Sequence, residues 1–222
     1  SIAMPCSVPT MARPKDPAVR TQLIERAAVM LRAREPITLR SLVAGTGVST
    51  MAVYTHFGGM DGLWQAVRQE GFTRLGARLA TVSTSDDPVR DLTALAAAYL
   101  DHALTHPDLY RVMFDASIDL EDLPAADATL EHLVQAARRG RDAGRYRTAV
   151  VPLDLAVQSW AIGHGLVSLI ATGPLPREAL DHGPVLLSAL FTASGDDPER
   201  ARASVQRGWH RPAPDDERSA AR

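Results

Sequence analysis

Residues 46–57 read TGVSTMAVYTHF, from Thr46 to Phe57. A turn here needs a residue that tolerates positive φ, and Gly47 supplies it. Ser49 stands where an N-cap accepts from the first N–H groups of the helix that follows. Val48 and Val53 anchor that helix to its neighbour, and Phe57 locks its far end. Thr50, Met51, Tyr54 and Thr55 are left facing outward, with His56 at the C-terminal end. An exposed tyrosine between a threonine and a histidine on so short a helix is a surface for contact rather than for packing.

Upstream, Leu23, Ala27, Met30 and Leu31 recur at helical spacing and give one face of an amphipathic helix that starts at Ala18. It should end near Glu35, because Pro36 disfavours helix in the residue before it. Thr38 then caps a short helix over residues 39–44, with Leu42 and Val43 inward. Gly45 and Gly47 bracket the turn. Downstream, Phe57-Gly58-Gly59 breaks the chain, and Asp61 opens a longer helix where its charge suits the helix dipole. Leu63, Val67, Phe72, Leu75 and Leu79 are the apolar positions of that helix.

Residues 83–88 form a polar linker. Beyond it, helices are expected over residues 89–105, 107–115, 123–143, 153–172 and 176–193, with a weaker one over 198–208. The breaks between them carry Pro or Gly. No strand-like alternation bounded by hairpin turns occurs. The fold class is therefore all-α. Four segments are expected: an arm or tag-derived extension over 1–17 (Met11-Ala12-Arg13 has the look of a natural start), a head over 18–80, a second helical domain over 85–208, and a tail over 209–222.

Of 222 residues, 45 % are apolar and 23 % charged, ordinary for a protein with a sizeable core. The net charge of −2 is unevenly spread. Residues 1–78 hold ten Lys/Arg and five Asp/Glu, or +5, and residues 79–222 hold fourteen and twenty-one, or −7. A basic first third on an acidic remainder points to a polyanionic partner for the head. The one cysteine, Cys6, has no internal partner and implies a reducing, cytoplasmic setting. No basic stretch followed by an apolar one opens the chain as a secretion signal. The longest apolar run, residues 156–171, is interrupted by Gln158, Ser159, His164 and Ser168 and is not expected to span a membrane.

Helix, glycine turn, helix is the spacing of a helix-turn-helix. Residues 38–64, TLRSLVAGTGVSTMAVYTHFGGMDGLW, resemble the DNA-binding domain of TetR-family transcriptional regulators. The resemblance extends over about residues 18–80. It implies that Ser49–His56 is the recognition helix and that Thr50, Met51 and Tyr54 face the major groove. Ala52 and His56 match positions against the phosphate backbone. Thr38 and Arg40, at the start of the preceding helix, match positions that contact phosphate and sometimes a base. Arginine reads guanine bidentately, so Arg40 leads among candidates for a base contact. Arg13 and Lys15 would form a basic arm. At Met60 the family usually places a lysine that reaches phosphate, so this chain should lack one ionic contact and show a shallower salt dependence.

Residues 85–195 are similar, more loosely, to the ligand-binding and dimerisation half of the same family. Trp160-Ala161-Ile162-Gly163-His164-Gly165-Leu166 resembles the signature of a WHG-type C-terminal domain, and residues 106–114, HPDLYRVMF, resemble a second segment of that subgroup. Trp160 and His164 lie four apart and share a helix face with Leu153, Val157 and Val167. The groups expected to line a pocket are Tyr99, His102, Tyr110, Met113, Phe114, Trp160 and His164. Such a lining favours an apolar or aromatic small molecule with one or two polar handles. His102 and His106 share a face, but no further ligand at a known spacing completes a metal site. No cofactor is implied.

The last two long helices carry apolar residues in excess of one face: Ala156, Gly163 and Ile170 on one, and Leu180, Leu187, Leu190 and Phe191 on the other. By resemblance they pair with a second subunit. Two recognition helices would then reach major grooves about 34–36 Å apart on a near-palindromic operator. The resemblance thus implies a ligand-responsive dimeric regulator, most often a repressor, working on DNA in the cytoplasm. A helical adaptor or activator of the same fold that has lost or altered DNA binding is the alternative. An enzyme is not indicated, because no nucleophile, phosphate loop or metal spacing is embedded in a motif.

Overall fold

The computed structural model describes residues 16–120 and 123–209, and every element in them is helical. Arg13, Lys15, Cys6 and the expected tail from residue 210 onward lie outside the described residues. The helices are α1 (Pro17–Arg32), α2 (Leu39–Val43), α3 (Thr50–Phe57), α4 (Met60–Ala80), α5 (Pro88–Thr105), α6 (Pro107–Met113), α7 (Leu123–Asp142), α8 (Pro152–Ala171), α9 (His182–Ala193) and α10 (Pro198–Gly208). A short 3-10 turn, Arg177–Asp181, precedes α9.

Leu23, Ile24, Ala27 and Met30 of α1 close over Leu42, Val53, Leu63 and Val67, which makes a three-helix head seated on the start of α4. Asp16 caps α1 through the Ala18 N–H. The helix stops earlier than Pro36 alone would require. Arg34 takes a left-handed φ of 55°, and the Glu35 N–H turns back 2.9 Å to the Met30 carbonyl, satisfying one of the last open acceptors. Thr38 and Ser41 form a reciprocal cap on α2.

The long α4 runs out of the head and packs on α5, α6 and α7. Its expected apolar positions Leu63, Val67, Phe72, Leu75 and Leu79 are all buried. Helix α5 lies in the middle of the second half, against α4, α7, α8 and α10, and is apolar on almost every side. Its N-terminal end is fixed by charge. Asp91 accepts from Arg139 at 2.6 Å, and Arg145 clasps Asp196 at 2.8 and 2.6 Å while also reaching Asp87 at 2.8 Å. Asp87 in turn caps α5 through the Arg90 N–H. Burial alone would raise the Asp87 carboxyl. Bonds from Ser204, Arg207 and the Arg90 N–H, with the Arg145 charge, outweigh it and hold the group well below the usual carboxylate range.

Two expectations need correction. The helix expected over 176–193 is divided, because the ring of Pro184 has no N–H to give and would meet the Leu180 carbonyl in a continuous α-turn. Ala156, Gly163, Leu180, Leu187 and Phe191, expected at a subunit interface, are buried within the chain's own core. The apolar side chains left outward on these helices are Leu153, Val157 and Leu169 of α8 and Val185 and Leu186 of α9. By length and composition α8 is also apolar enough to cross a bilayer, with a mean hydropathy of 1.3. In the fold it packs against α5, α7 and α9, and Ser159 and Gly163 lie in its buried face.

Candidate DNA-binding surface and ligand cavity

The candidate recognition element is built on one buried side chain. Val53 is fully buried, while Val48 and Phe57 are half-buried against the same core. Arg20 of α1 lies over the Phe57 ring at 5.5 Å from its centroid, tying α1 to the end of α3. Gly47 takes φ +72° in the turn, where a side chain would be strained. With α3 so anchored, Met51 and Tyr54 stand out at 65 % and 49 % exposure.

The other expected contacts distribute around them. Thr38, Arg40, Ser49 and Thr55 are exposed, and Thr50, Ala52 and His56 are half-buried. Arg40 has no ion-pair partner among the described residues. Thr55 donates to the Met51 carbonyl at 2.9 Å, which leaves its oxygen able to accept. Ser49 is the N-cap residue as expected, but its hydroxyl makes no capping bond. Thr46 braces the turn instead, donating to the Val43 carbonyl at 2.7 Å and accepting from the Val48 N–H at 3.2 Å. The Ala52 N–H turns back to the Ser49 carbonyl at 3.0 Å, which leaves the Thr50 and Met51 N–H groups and the Ser49 hydroxyl open to a ligand. Met60, where the family usually has lysine, packs against the core.

A second feature lies in the other half of the chain. A cavity of about 290 Å³ opens between α4, α5, α7 and α8. Phe72, Leu75, Leu79, Phe114, Leu133 and Trp160 form most of its apolar wall. Tyr99, Phe114 and Trp160, of the expected pocket residues, line it. Tyr110 and His164 stand behind Tyr99 as a polar knot. Tyr110 Oη is 2.6 Å from His164 Nδ1, Tyr99 Oη is 3.0 Å from the same nitrogen, and Tyr99 donates to Tyr110 at 3.2 Å. Phe114 meets His164 edge-on at 4.7 Å between centroids. Burial lowers the His164 pKa, so the imidazole stays neutral and can accept from a tyrosine.

His102 and Met113 are elsewhere. His102 is buried beside His106, at 5.0 Å between ring centroids, with its Nε2 unpartnered. Burial and the neighbouring His106 lower its pKa to about 4. Met113 is fully buried against α4, where a Cβ on Gly71 would fall 2.4 Å from Met113 Cγ. Arg68, Asp127, Thr129 and Ser159 line the cavity without having been expected there. Ser159 shares its helix face with Leu155, Ile162 and Gly163, and Thr129 shares one with Leu133, so spacing reads both as small polar residues within apolar faces and not as cavity lining. No group of acidic, histidine or cysteine side chains among the described residues is arranged to hold a metal ion.

Residues 92–192 match the family model of the tetracyclin repressor-like C-terminal domain. No curated protein matches the chain. Among solved structures, a protein of unknown function from Rhodococcus sp. RHA1 is similar over 86 % of this chain and 100 % of its own, at 23 % identity and a TM-score of 0.69. RolR, solved in complex with resorcinol, is similar over 89 % and 97 %, at 17 % identity and a TM-score of 0.61. SmeT, the repressor of a Stenotrophomonas maltophilia multidrug efflux pump, is similar over 78 % and 89 %, at 23 % identity and a TM-score of 0.58. The chain thus shares the fold of these TetR-type regulators, and its residues 92–192 form a tetracyclin repressor-like C-terminal domain.

Proposed function

We propose that this chain is a dimeric, cytoplasmic repressor with a DNA-binding head over 18–80 and a sensing and dimerising part over 85–208. It binds a near-palindromic operator through α2 and α3 and is released by a small apolar or aromatic effector. The observation that carries this reading is α3 itself, held by a fully buried Val53 and presenting Met51 and Tyr54 to solvent. The open N–H groups at its start and the uncommitted Ser49 hydroxyl are what a phosphate contact needs. Arg40 adds a guanidinium on the preceding helix that has no ion-pair partner among the described residues.

The cavity supports the effector. Its aromatic wall suits a planar ring, in keeping with the resorcinol bound by RolR. It also touches the moving parts. Phe114 lines the cavity at the end of α6, and the adjacent Met113 is seated on Gly71 of α4, the helix that carries the head. A molecule that repositions Phe114 therefore shifts the support of α4. By linkage, DNA must weaken effector binding by the same factor that effector weakens DNA binding. Dimerisation would use the outward Val157, Leu169, Val185 and Leu186, an apolar set on adjacent helices.

Mobility shifts against genomic fragments at rising salt test the reading. Retention of a discrete fragment that weakens as salt rises supports it. Retention of no fragment, or binding indifferent to salt, contradicts it and favours an adaptor.

A further inference from the structure

Arg68 is out of place in a cavity with so apolar a wall. Its Nε donates to the Met113 carbonyl at 2.8 Å, and Nη1 donates to the Ile118 carbonyl. Those two acceptors lie at the end of α6 and in the segment that follows it. They hold the guanidinium still but neutralise nothing. Among the described residues no carboxylate lies within ion-pair distance of it. Asp115 feels its charge, yet Asp115 is exposed and turned to Ser117, whose hydroxyl and N–H it accepts. The Arg68 side chain retains Nη2 and half of Nη1 as donors, in a fork that fits the two oxygens of a carboxylate.

The remaining polar lining does not compete for that role. The Tyr99 hydroxyl is consumed by Tyr110 and His164, and Ser159 donates to its own Leu155 carbonyl at 2.8 Å. Thr129 is uncharged, and Asp127, an exposed residue, is the one other charged group in the wall. Arg68 is half-buried, and at the edge of an aromatic cavity its free donors favour a ligand that carries an anion.

We infer that the effector is an aromatic or arylalkyl acid, with its ring between Phe72, Phe114 and Trp160 and its carboxylate on Arg68. This rests on the reading of the cavity as the effector site. It also places the anion next to the Met113 and Ile118 carbonyls, the segment that joins α6 to α7, so charge recognition and displacement of α6 occur at one point.

The test compares 2-naphthoate, 2-naphthamide and 2-naphthylmethylamine as probes. Each is titrated into the full-length protein by calorimetry and Trp fluorescence, with wild type, Arg68→Gln and Arg68→Lys. Naphthoate should bind about tenfold or more tighter than naphthamide, and the preference should vanish in Arg68→Gln and persist in part in Arg68→Lys. A solely structural Arg68 would instead weaken all three probes alike in the variant, which overturns the inference. So does equal binding of naphthoate and naphthamide to wild type, or a preference for the amine, which would make Asp127 the reader. In those cases the cavity still binds, and the proposed effector site stands. Binding of none of the probes, with no aromatic compound releasing the protein from DNA, removes both.

Discussion

Tyr110 Oη lies 2.6 Å from His164 Nδ1, which ties the short α6 to the middle of α8 across the edge of the cavity. With α6 also seated on Gly71, the two helices and α4 form one mechanical unit. Tyr110→Phe removes a hydroxyl shared with Tyr99, and leaves the His164 nitrogen the weaker 3.0 Å contact from Tyr99. The expected cost is about 1–2 kcal/mol in urea unfolding. Tyr99→Phe and the double variant should be non-additive, because both hydroxyls serve one imidazole.

Gly71→Ala sets two effects against each other. Alanine gains about 1 kcal/mol of helix propensity. The new methyl must displace Met113, which is fully buried, and overpacking of that kind costs about 1–3 kcal/mol. The net expectation is a loss of up to about 2 kcal/mol, relieved when Met113 is shortened to Ala in the same chain. If Gly71→Ala is stabilising alone, the close approach of α4 and α6 is looser than described.

His102 gives the fold an acid-sensitive point. Its folded pKa of about 4 lies below the unfolded value, so the unfolded chain binds the extra proton in between. The stabilisation is present above about pH 6.5 and is lost as pH falls towards 4, amounting to on the order of 3 kcal/mol. Thermal melts across that window should flatten for His102→Leu, which also removes the unpartnered Nε2.

Asp196→Ala leaves Arg145 buried with Asp87 as its remaining carboxylate. Removing one partner of a buried pair costs about 3–5 kcal/mol, and the remaining Asp87 places this case at the lower end. Arg145 and Asp196 each stand at 2 % side-chain exposure, so screening by solvent is slight. The check is the midpoint shift in guanidinium unfolding.

Val185→Asp should convert the dimer to a monomer in light scattering without lowering the helix content. Val185 is 66 % exposed within the chain, so the substitution has no core to disturb. A dimer that persists places the interface elsewhere.

The head was largely legible in the sequence because its determinants are local. Gly47 reads as a turn, Leu23, Ala27 and Met30 as one helix face, and Val53 as an anchor, all within a few residues of their partners. The cavity was legible only in part. Tyr99, Phe114 and Trp160 stand out as aromatic, but the hydrogen bonds that bring Tyr99, Tyr110 and His164 together join residues up to 65 apart in the chain. Arg68 reads as one more basic residue of the head. Its place in the cavity follows from where α6 ends, which no spacing encodes. The apolar residues of α8 and α9 were read as surplus for a partner, yet most fill their own core, since periodicity reports that a face is apolar and not what covers it. The Ser49 hydroxyl was expected to cap α3 and instead stays uncommitted, because Thr46 already braces the turn.

The most direct measurement is a footprint of the retained DNA fragment with wild type and with Tyr54→Ala and Arg40→Ala. Wild type should protect two half-sites about one helical turn apart, and the variants should lose that protection while keeping the wild-type melting temperature and dimer mass. Protection of a single half-site, or an unchanged footprint with both variants, would contradict a pair of α3 helices lying in successive major grooves.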